Sequence, residues 1–548
     1  MPTEDRRTGD TKSGKIIMRR PLATASLAAA LFAVAMPIAL AAPPAAAQVR
    51  SPLDLTTDPA DKAVMAEAAA AVADRPPSLA KLDAVLAKLP RPTPLRGMIQ
   101  STRATLLIAQ PDSKPAVAAI DEALRLLPDH PVPKMIATEV FTFSGAPQRA
   151  ADLWLALSQQ APALARGSQR YTMMALVGRL RDIGDRARAD RVSARLGEIG
   201  FAAALAPERS SYATAQIRDA MRAGRTTDAI TAVPTVGDPD DLVAMFIDKR
   251  YAALWPRITE WSGGSFDAPA RRYLEELRSD WAAADDFQTA TPYARELAGR
   301  QAYDAVVALF LPMFDQAPSV GFAQGADTLA PLVARALTAT GRAAEGQALL
   351  ARVAGTLSPE AGANALNIDA AYLTLAALNG DWAQAVTRAD TFLTRARTFG
   401  SAVNTGAMIG VQSYRACALH QLGRTAEAER TKAEVMLAAV TNPSRVANML
   451  ACMNDAAALR TLLVARLADE NTRPWALNYV QPFTRDTHFA LDRLTDPVHE
   501  AVRTSPEVVA AATTVGRILP APIGGTLPTG FEPYRTPPSG KPLGKDAV

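Results

Sequence analysis

The chain has 548 residues, 49% of them hydrophobic, with 59 Lys and Arg against 55 Asp and Glu. That length and apolar content exclude a disordered chain and provide for a sizeable core. The formal charge of +4 is concentrated at the start: residues 1–20 carry six basic and three acidic side chains, so about +1 remains beyond them, which excludes the electrostatic footprint of a nucleic-acid-binding protein.

The first predicted element is a targeting segment. Pro21 to Val49 contains no charged residue; Met18-Arg19-Arg20 is a positive start, Leu27 to Leu40 an apolar core, and Ala45-Ala46-Ala47 a small-residue cleavage site. Residues 1–17 then form an upstream extension and 18–47 a signal peptide. Cleavage near Ala47 would deliver a periplasmic or secreted bacterial protein by the ordinary secretory route. The alternative is an uncleaved segment anchoring the chain to the inner membrane, since the uncharged run is long enough to span; Pro37 and the Ala-Pro-Pro-Ala tail favour processing. No Cys follows the apolar core, which excludes a lipoprotein. No membrane insertion is expected after cleavage, only peripheral association with the envelope.

Beyond the signal, Ala, Leu and Arg dominate and runs of β-branched residues are scarce, so the expected class is all-α. Ala116, Ile120, Ala123 and Pro128 place three small or apolar residues on one helical face with a proline closing the helix. The same offsets recur 38 residues earlier (Ser78, Leu82, Val85, Pro90) and 34 later (Ala150, Trp154, Leu157, Pro162). A second signature is a glycine with a small residue five places on: Gly145/Ala150, Gly184/Ala189, Gly224/Ala229, Gly341/Gly346, Gly380/Ala385 and Gly423/Ala428. Each reads as the tight turn of a helical hairpin. With weaker anchors at Ala270, Ala305 and Leu459, the mean period is about 38 residues, one helix pair per unit, giving an α-solenoid of about eleven antiparallel pairs.

The sets at 116–128 and 150–162, with "LGRTAEAERTKAEVM" from Leu422 to Met436, resemble the tetratricopeptide repeat (TPR) family. The resemblance implies a right-handed α-solenoid whose first helices line a concave groove that recognises a protein or peptide. It is degenerate: units run 31 to 43 residues, and most later units lack the terminal proline. By that family's register, Arg181, Arg218, Arg222, Arg335 and Asn367 are the groove candidates. Arginine pairs bidentately with carboxylates, so an acidic or C-terminal peptide is one ligand the groove would take; the bland reading is five ordinary solvated side chains.

Residues 238–303 hold ten of the 31 aromatics and three of the six Trp. Tyr251 and Trp255, four residues apart, are candidates for an exposed aromatic surface, against the reading that these rings fill a core. "SGGSFDAP", 262–269, is the expected joint, dividing an N-terminal array, 48–262, from a C-terminal array, 263–518. The Pro- and Gly-rich stretch 519–548 is expected to be a disordered tail.

Catalytic signatures are missing from the sequence: no nucleophile elbow, zinc helix or phosphate loop occurs. His488 and His499 lie eleven residues apart with Pro497 between them and no Cys beside them, so neither a metal nor any other cofactor is expected. Cys417 and Cys452, the two cysteines of the chain, fall on neighbouring first helices, where a disulfide is feasible and two buried thiols are the alternative. The expected function is that of an exported, non-catalytic scaffold or adaptor binding a protein or peptide partner. A chaperone-like holdase for envelope proteins and a cell-wall-associated enzyme built on a helical superhelix are the alternatives.

Overall fold

A computed structural model describes residues 56–533 apart from 74–77, 109, 111, 202–203, 317–324, 358–364, 400–402, 404 and 521–523. The expected signal segment, the upstream extension and positions 534–548 of the expected tail lie outside the described residues. All described secondary structure is helical, with an isolated bridge between Asp248 and Gly516 and no strands among the described residues. The helices pack mainly as neighbouring pairs.

The seam residues read from the sequence are buried. Ala116, Ile120 and Ala123 of the helix Lys114–Leu126, and Ala150, Trp154 and Leu157 of Pro147–Gln160, have no exposed surface. The hairpin turns share one geometry. All six signature glycines have positive φ, from 71° to 90°. After Gly423, for instance, the N–H of Arg424 reaches back to the Leu419 carbonyl at 2.9 Å, which satisfies an orphan carbonyl at the helix end. Five residues beyond the turn, Ala189, Ala229, Ala385 and Ala428 are fully buried. At Gly346 an added Cβ would stand 2.8 Å from the Ala334 carbonyl oxygen, so the two helices cross too closely for any side chain.

Two further turns adopt this geometry without glycine. Gln301 and Asn454 have φ of 57° and 56°, and the following N–H groups of Ala302 and Asp455 bond the Leu297 and Leu450 carbonyls, both at 2.9 Å. They precede the weaker anchors Ala305 and Leu459, whose turns carry no glycine.

The chain divides into two compact units, one within Met1–Gly145 with Ala396–Asn404, the other within Ala146–Arg395 and Thr405–Val548. In the first, Pro94–Leu107 packs on Lys114–Leu126 and Pro131–Ser144. Arg96 joins their ends: its Nε donates to Glu122 at 2.6 Å and its Nη1 to the Leu89 carbonyl at 2.7 Å. That hydrogen bond holds the Glu122 carboxyl below its ordinary range.

The expected joint at 262–269 lies inside the second unit. There Gly263 and Gly264 take positive φ, and Phe266, also at positive φ, is buried against Phe246 with ring centroids 5.5 Å apart. The aromatic segment is largely core: Tyr273, Trp281, Phe287, Tyr293 and Tyr303 are buried with Phe310, Phe314 and Leu329. Helices after the last sequence anchor, Arg473–Tyr479, Ala490–Arg503 and Pro506–Val515, pack back on the unit, reaching Pro239–Ile247 and Leu366–Asn379.

Positions 519–533, expected to be disordered, are in part fastened to this unit. The Leu519 N–H bonds Gln481 at 3.0 Å, Arg300 donates to the Thr526 carbonyl and Arg271 to that of Thr529, and Phe531 is buried in the aromatic core. Pro and Gly deny this stretch a helix, and Arg300 and Arg271 take up the carbonyls of Thr526 and Thr529, so residues 524–533 lie against the helices as a strap of bends and turns.

Candidate functional site

Three of the four sequence-predicted arginines, Arg181, Arg218 and Arg222, lie near one another in the second unit. Arg181 stands near the end of Arg170–Asp182. Arg218 and Arg222, one turn apart, lie on Ala206–Arg222. Between them Asp190 projects from Arg186–Glu198 and is buried. Arg218 Nη2 donates to Asp190 Oδ1 at 3.0 Å and Arg222 Nη2 to Oδ2 at 2.5 Å. Arg181 is exposed and close enough to Arg218, Asp190 and Asp241 to feel their charges; desolvation and then Arg218 lower its guanidinium below the usual range.

Tyr251 enters the same field from the 3-10 helix Lys249–Leu254. Burial pushes its phenol up, while the charges of Arg218 and Arg250 oppose that shift. Arg250 is itself held by the buried Asp248, Nε to Oδ2 at 2.9 Å and Nη2 to the same oxygen at 2.5 Å. On the helix carrying Arg181, Tyr171 and Met174 are 56% and 46% exposed; with Gly178 and Arg181 they repeat at helical spacing along one face.

Beside the arginines lies a carboxylate group that the sequence reading missed. Ser210 Oγ accepts from the Asp238 N–H at 2.8 Å and donates to Asp241 at 3.1 Å; Asp238 in turn caps Pro239–Ile247 by accepting from the Asp240 N–H. Desolvation, then the charges of Asp241 and Asp240, push the Asp238 carboxyl up to about 7. Asp240 and Glu296 are also raised by desolvation, with Arg300 opposing in each case. Asp240 has ample solvent-accessible area even so. Arg300 pairs with Glu296 at 2.7 Å, so one guanidinium offsets several carboxylates.

The remaining candidates lie elsewhere. Arg335 donates to Asp486 and Tyr303, both at 3.3 Å, and lies 5.0 Å over the Phe489 ring. Asp486 also accepts from the Tyr303 hydroxyl and from His488 Nδ1 at 2.8 Å. Burial opposes its ionisation, but these hydrogen bonds outweigh it and hold the carboxyl below its usual range. Asn367 donates to the buried Asp327 at 2.6 Å. Arg335 and Asn367 are thus joints between helices, a role that sequence alone does not separate from groove lining.

Trp255 does not form an aromatic platform with Tyr251. Its indole N–H donates to the Met245 carbonyl at 3.1 Å, and Arg517 covers its ring at 3.9 Å. A residue 262 positions away occupies the face that a ligand would need. His488 and His499 take separate partners, Asp486 and Tyr479. Cys417 and Cys452 are joined in a disulfide, with Cα atoms 5.6 Å apart.

A shallow depression lined by Glu198, Gln216, Asp219, Arg225 and Asp228 borders the same helices, but its charges are paired, Arg225 with Asp219 at 3.1 Å and Asp228 at 3.0 Å. No protein-family profile matches the chain, and no curated protein matches it.

Proposed function

We propose that the chain is an exported, TPR-like α-solenoid scaffold that binds a protein partner through the first-helix faces of its second unit. One observation carries the reading. The helices Arg170–Asp182, Ala206–Arg222 and Pro239–Ile247 carry exposed side chains of varied chemistry, Tyr171, Met174 and Arg181 on the first, Arg222 on the second and Asp240 on the third. Recognition by helix-pair arrays uses such a surface, in which aliphatic, aromatic and both signs of charge are available within a few helical turns. The signal-like start of the sequence supports export, as does the Cys417–Cys452 disulfide, a bond that persists in oxidising compartments.

The test is in-cell photo-cross-linking from an unnatural residue at Met174, with Leu437, 88% exposed and on another helix pair, as the comparison position. A scaffold gives one or two stoichiometric adducts from position 174 and none of them from 437. The holdase alternative gives many weak adducts, and equal labelling from the two positions removes the groove reading. Determining the N-terminus of the mature protein from fractionated cells tests export: a start near Gln48 in the periplasm or medium is expected, and retention of residues 21–40 in the membrane fraction refutes cleavage.

A further inference from the structure

We infer that one face of the helix Asp267–Ala284 is a docking site for a turn-forming partner segment anchored by a tyrosine, and that the chain's own residues 526–533 occupy it as an internal stand-in. This helix carries the Ala270 anchor, which makes it a second helix by the repeat register, so the site lies apart from the helices of the groove candidates.

The strap is held as a ligand is held. Its conformation is its own: the Phe531 N–H bonds the Pro528 carbonyl at 3.0 Å and closes a turn whose third residue, Gly530, has φ of 72°. That is the position at which a type II turn requires glycine. Pro528, Phe531 and Pro533 are buried, while Thr529, Gly530 and Glu532 are exposed. The grip comes from one helix face. Arg271 donates to the Thr529 carbonyl, and Arg278, two turns on, lies 6.0 Å from the Phe531 ring centre. A Cβ at Gly530 would stand 2.9 Å from Arg271 Nη2, so glycine serves both the turn and the grip. A preformed turn, a backbone hydrogen bond and one buried ring are the elements by which a folded surface recognises a peptide.

The stand-in leaves donors unmet. Trp281, three residues after Arg278, shares its helix face. Its ring packs on Tyr293 and Phe310, with centroids 6.1 and 5.0 Å apart, in the buried cluster to which Phe531 belongs. The Trp281 indole N–H and the Tyr293 hydroxyl are buried, and neither has a hydrogen-bond partner among the described residues. Two such groups on neighbouring rings call for an acceptor, and the phenyl ring of Phe531 has none. A tyrosine in its place keeps the ring contacts and brings an oxygen that accepts from one of them. The unmet donors therefore select a phenol over a phenyl anchor, and a partner's tyrosine displaces the chain's own phenylalanine.

The experiment uses the full chain with Phe531→Ala, which vacates the site, and fluorescein-labelled, C-terminally amidated peptides Thr-Leu-Pro-Thr-Gly-X-Glu-Pro, where X is Tyr, Phe or Ala. Fluorescence anisotropy is expected to show the variant binding the Tyr peptide about ten-fold tighter than the Phe peptide and the Ala peptide not at all. The wild-type chain, whose site is filled, binds the Tyr peptide about ten-fold more weakly than the variant does. Adding Trp281→Phe and Tyr293→Phe keeps both rings and removes both donors, so the preference for the Tyr peptide disappears. A second measurement needs no vacant site: Phe531→Tyr in the otherwise unaltered chain supplies the acceptor in place and slows hydrogen exchange over 524–532 about ten-fold. It decides the matter if Phe531→Ala impairs folding. Equal affinity for the Tyr and Phe peptides, equal binding by wild type and Phe531→Ala, a preference that survives loss of both donors, or unslowed exchange in Phe531→Tyr overturns the assignment. Cross-linking from Met174 reads a different helix, so either reading can fail while the other stands.

Discussion

Arg517→Ala is expected to release the C-terminal strap from the second unit. The Arg517 guanidinium lies 3.4 Å from the Phe246 ring centroid and 3.9 Å from that of Trp255. Its Nε donates to the Phe246 carbonyl at 2.6 Å, and its backbone N–H bonds the Ile247 carbonyl at 2.9 Å. The charged side-chain hydrogen bond is worth about 1.5–3 kcal/mol, and the two ring contacts about 0.5–1 kcal/mol each. Against these stands Nη2, buried without a partner, at a cost of about 1–3 kcal/mol. The net is about 2 kcal/mol. Hydrogen exchange measured by mass spectrometry on peptides covering 510–533 reads it directly: local opening that is about 2 kcal/mol easier accelerates exchange at Arg517 about 30-fold, with little change in the first unit. Arg517→Lys keeps the charge but loses the planar stack and the Nε–H, and restores little protection. Unchanged exchange in the alanine variant, or full protection in the lysine variant, refutes the reasoning.

Gly423→Val forces a β-branched residue to φ of 73°, where no neighbour lies within 4 Å of an added Cβ; thermal melts should show a loss of about 1–2 kcal/mol, all of it backbone strain. Gly346→Ala has an ordinary φ but drives a Cβ against the Ala334 carbonyl, and chemical denaturation should show a loss of about 1–3 kcal/mol. Replacing Cys417 and Cys452 together by Ser opens a cross-link between positions 35 apart and should cost about 3–4 kcal/mol by the chain-entropy account; a reduced-versus-oxidised gel shift of the wild type reports the bond itself. Asp238 holds its proton in the folded state to about pH 7 against 3.8 for an unperturbed aspartate, so its contribution is full below pH 4 and lost as the pH rises through 7. Asp238→Asn keeps the helix cap and should flatten that decline in melting temperature between pH 5 and 8. His499, lowered to about 4 by burial, runs the other way: its contribution is present above 6.5 and lost as the pH falls toward 4, and His499→Gln should blunt acid destabilisation over that window.

The hairpin turns were legible because a chain that must take positive φ at a helix end strongly prefers glycine, and the seam residue follows at fixed spacing. Gln301 and Asn454 make the same turn with side chains that carry no such signal, so their units read as weak. Among the candidate residues, register alone brought Arg181, Arg218 and Arg222 to one place, yet the same register also selected Arg335 and Asn367, which have been recruited as ties to Asp486 and Asp327. Nothing local distinguishes the two outcomes. Arg218 and Arg222 meet Asp190 on the preceding helix, whereas Asp486, which meets Arg335, is 151 residues away, so the partner of a first-helix arginine depends on what the fold lays beside it.

That dependence bears on how the second unit is held together. In an array whose units touch only their neighbours, stability is a sum of local interfaces and the last pair can be lost with little effect on the middle. Here Arg186 and Arg250 donate to the Asn471 and Glu470 carbonyls, Lys249 to those of Thr513 and Thr514, Gln301 to that of Arg485, and the ring of Phe531 completes the core around Trp281 and Tyr293. Most of these contacts fix backbone carbonyls of helix ends and irregular chain, groups left without a partner inside a helix. Apart from Arg186, the donors stand on the 3-10 helix Lys249–Leu254 and the turn at Gln301. The returning C-terminal segment is therefore held at several separate places in the second unit, at Lys249 and Arg250 of the 3-10 helix, at Gln301, and at Arg186 on the helix that carries Asp190.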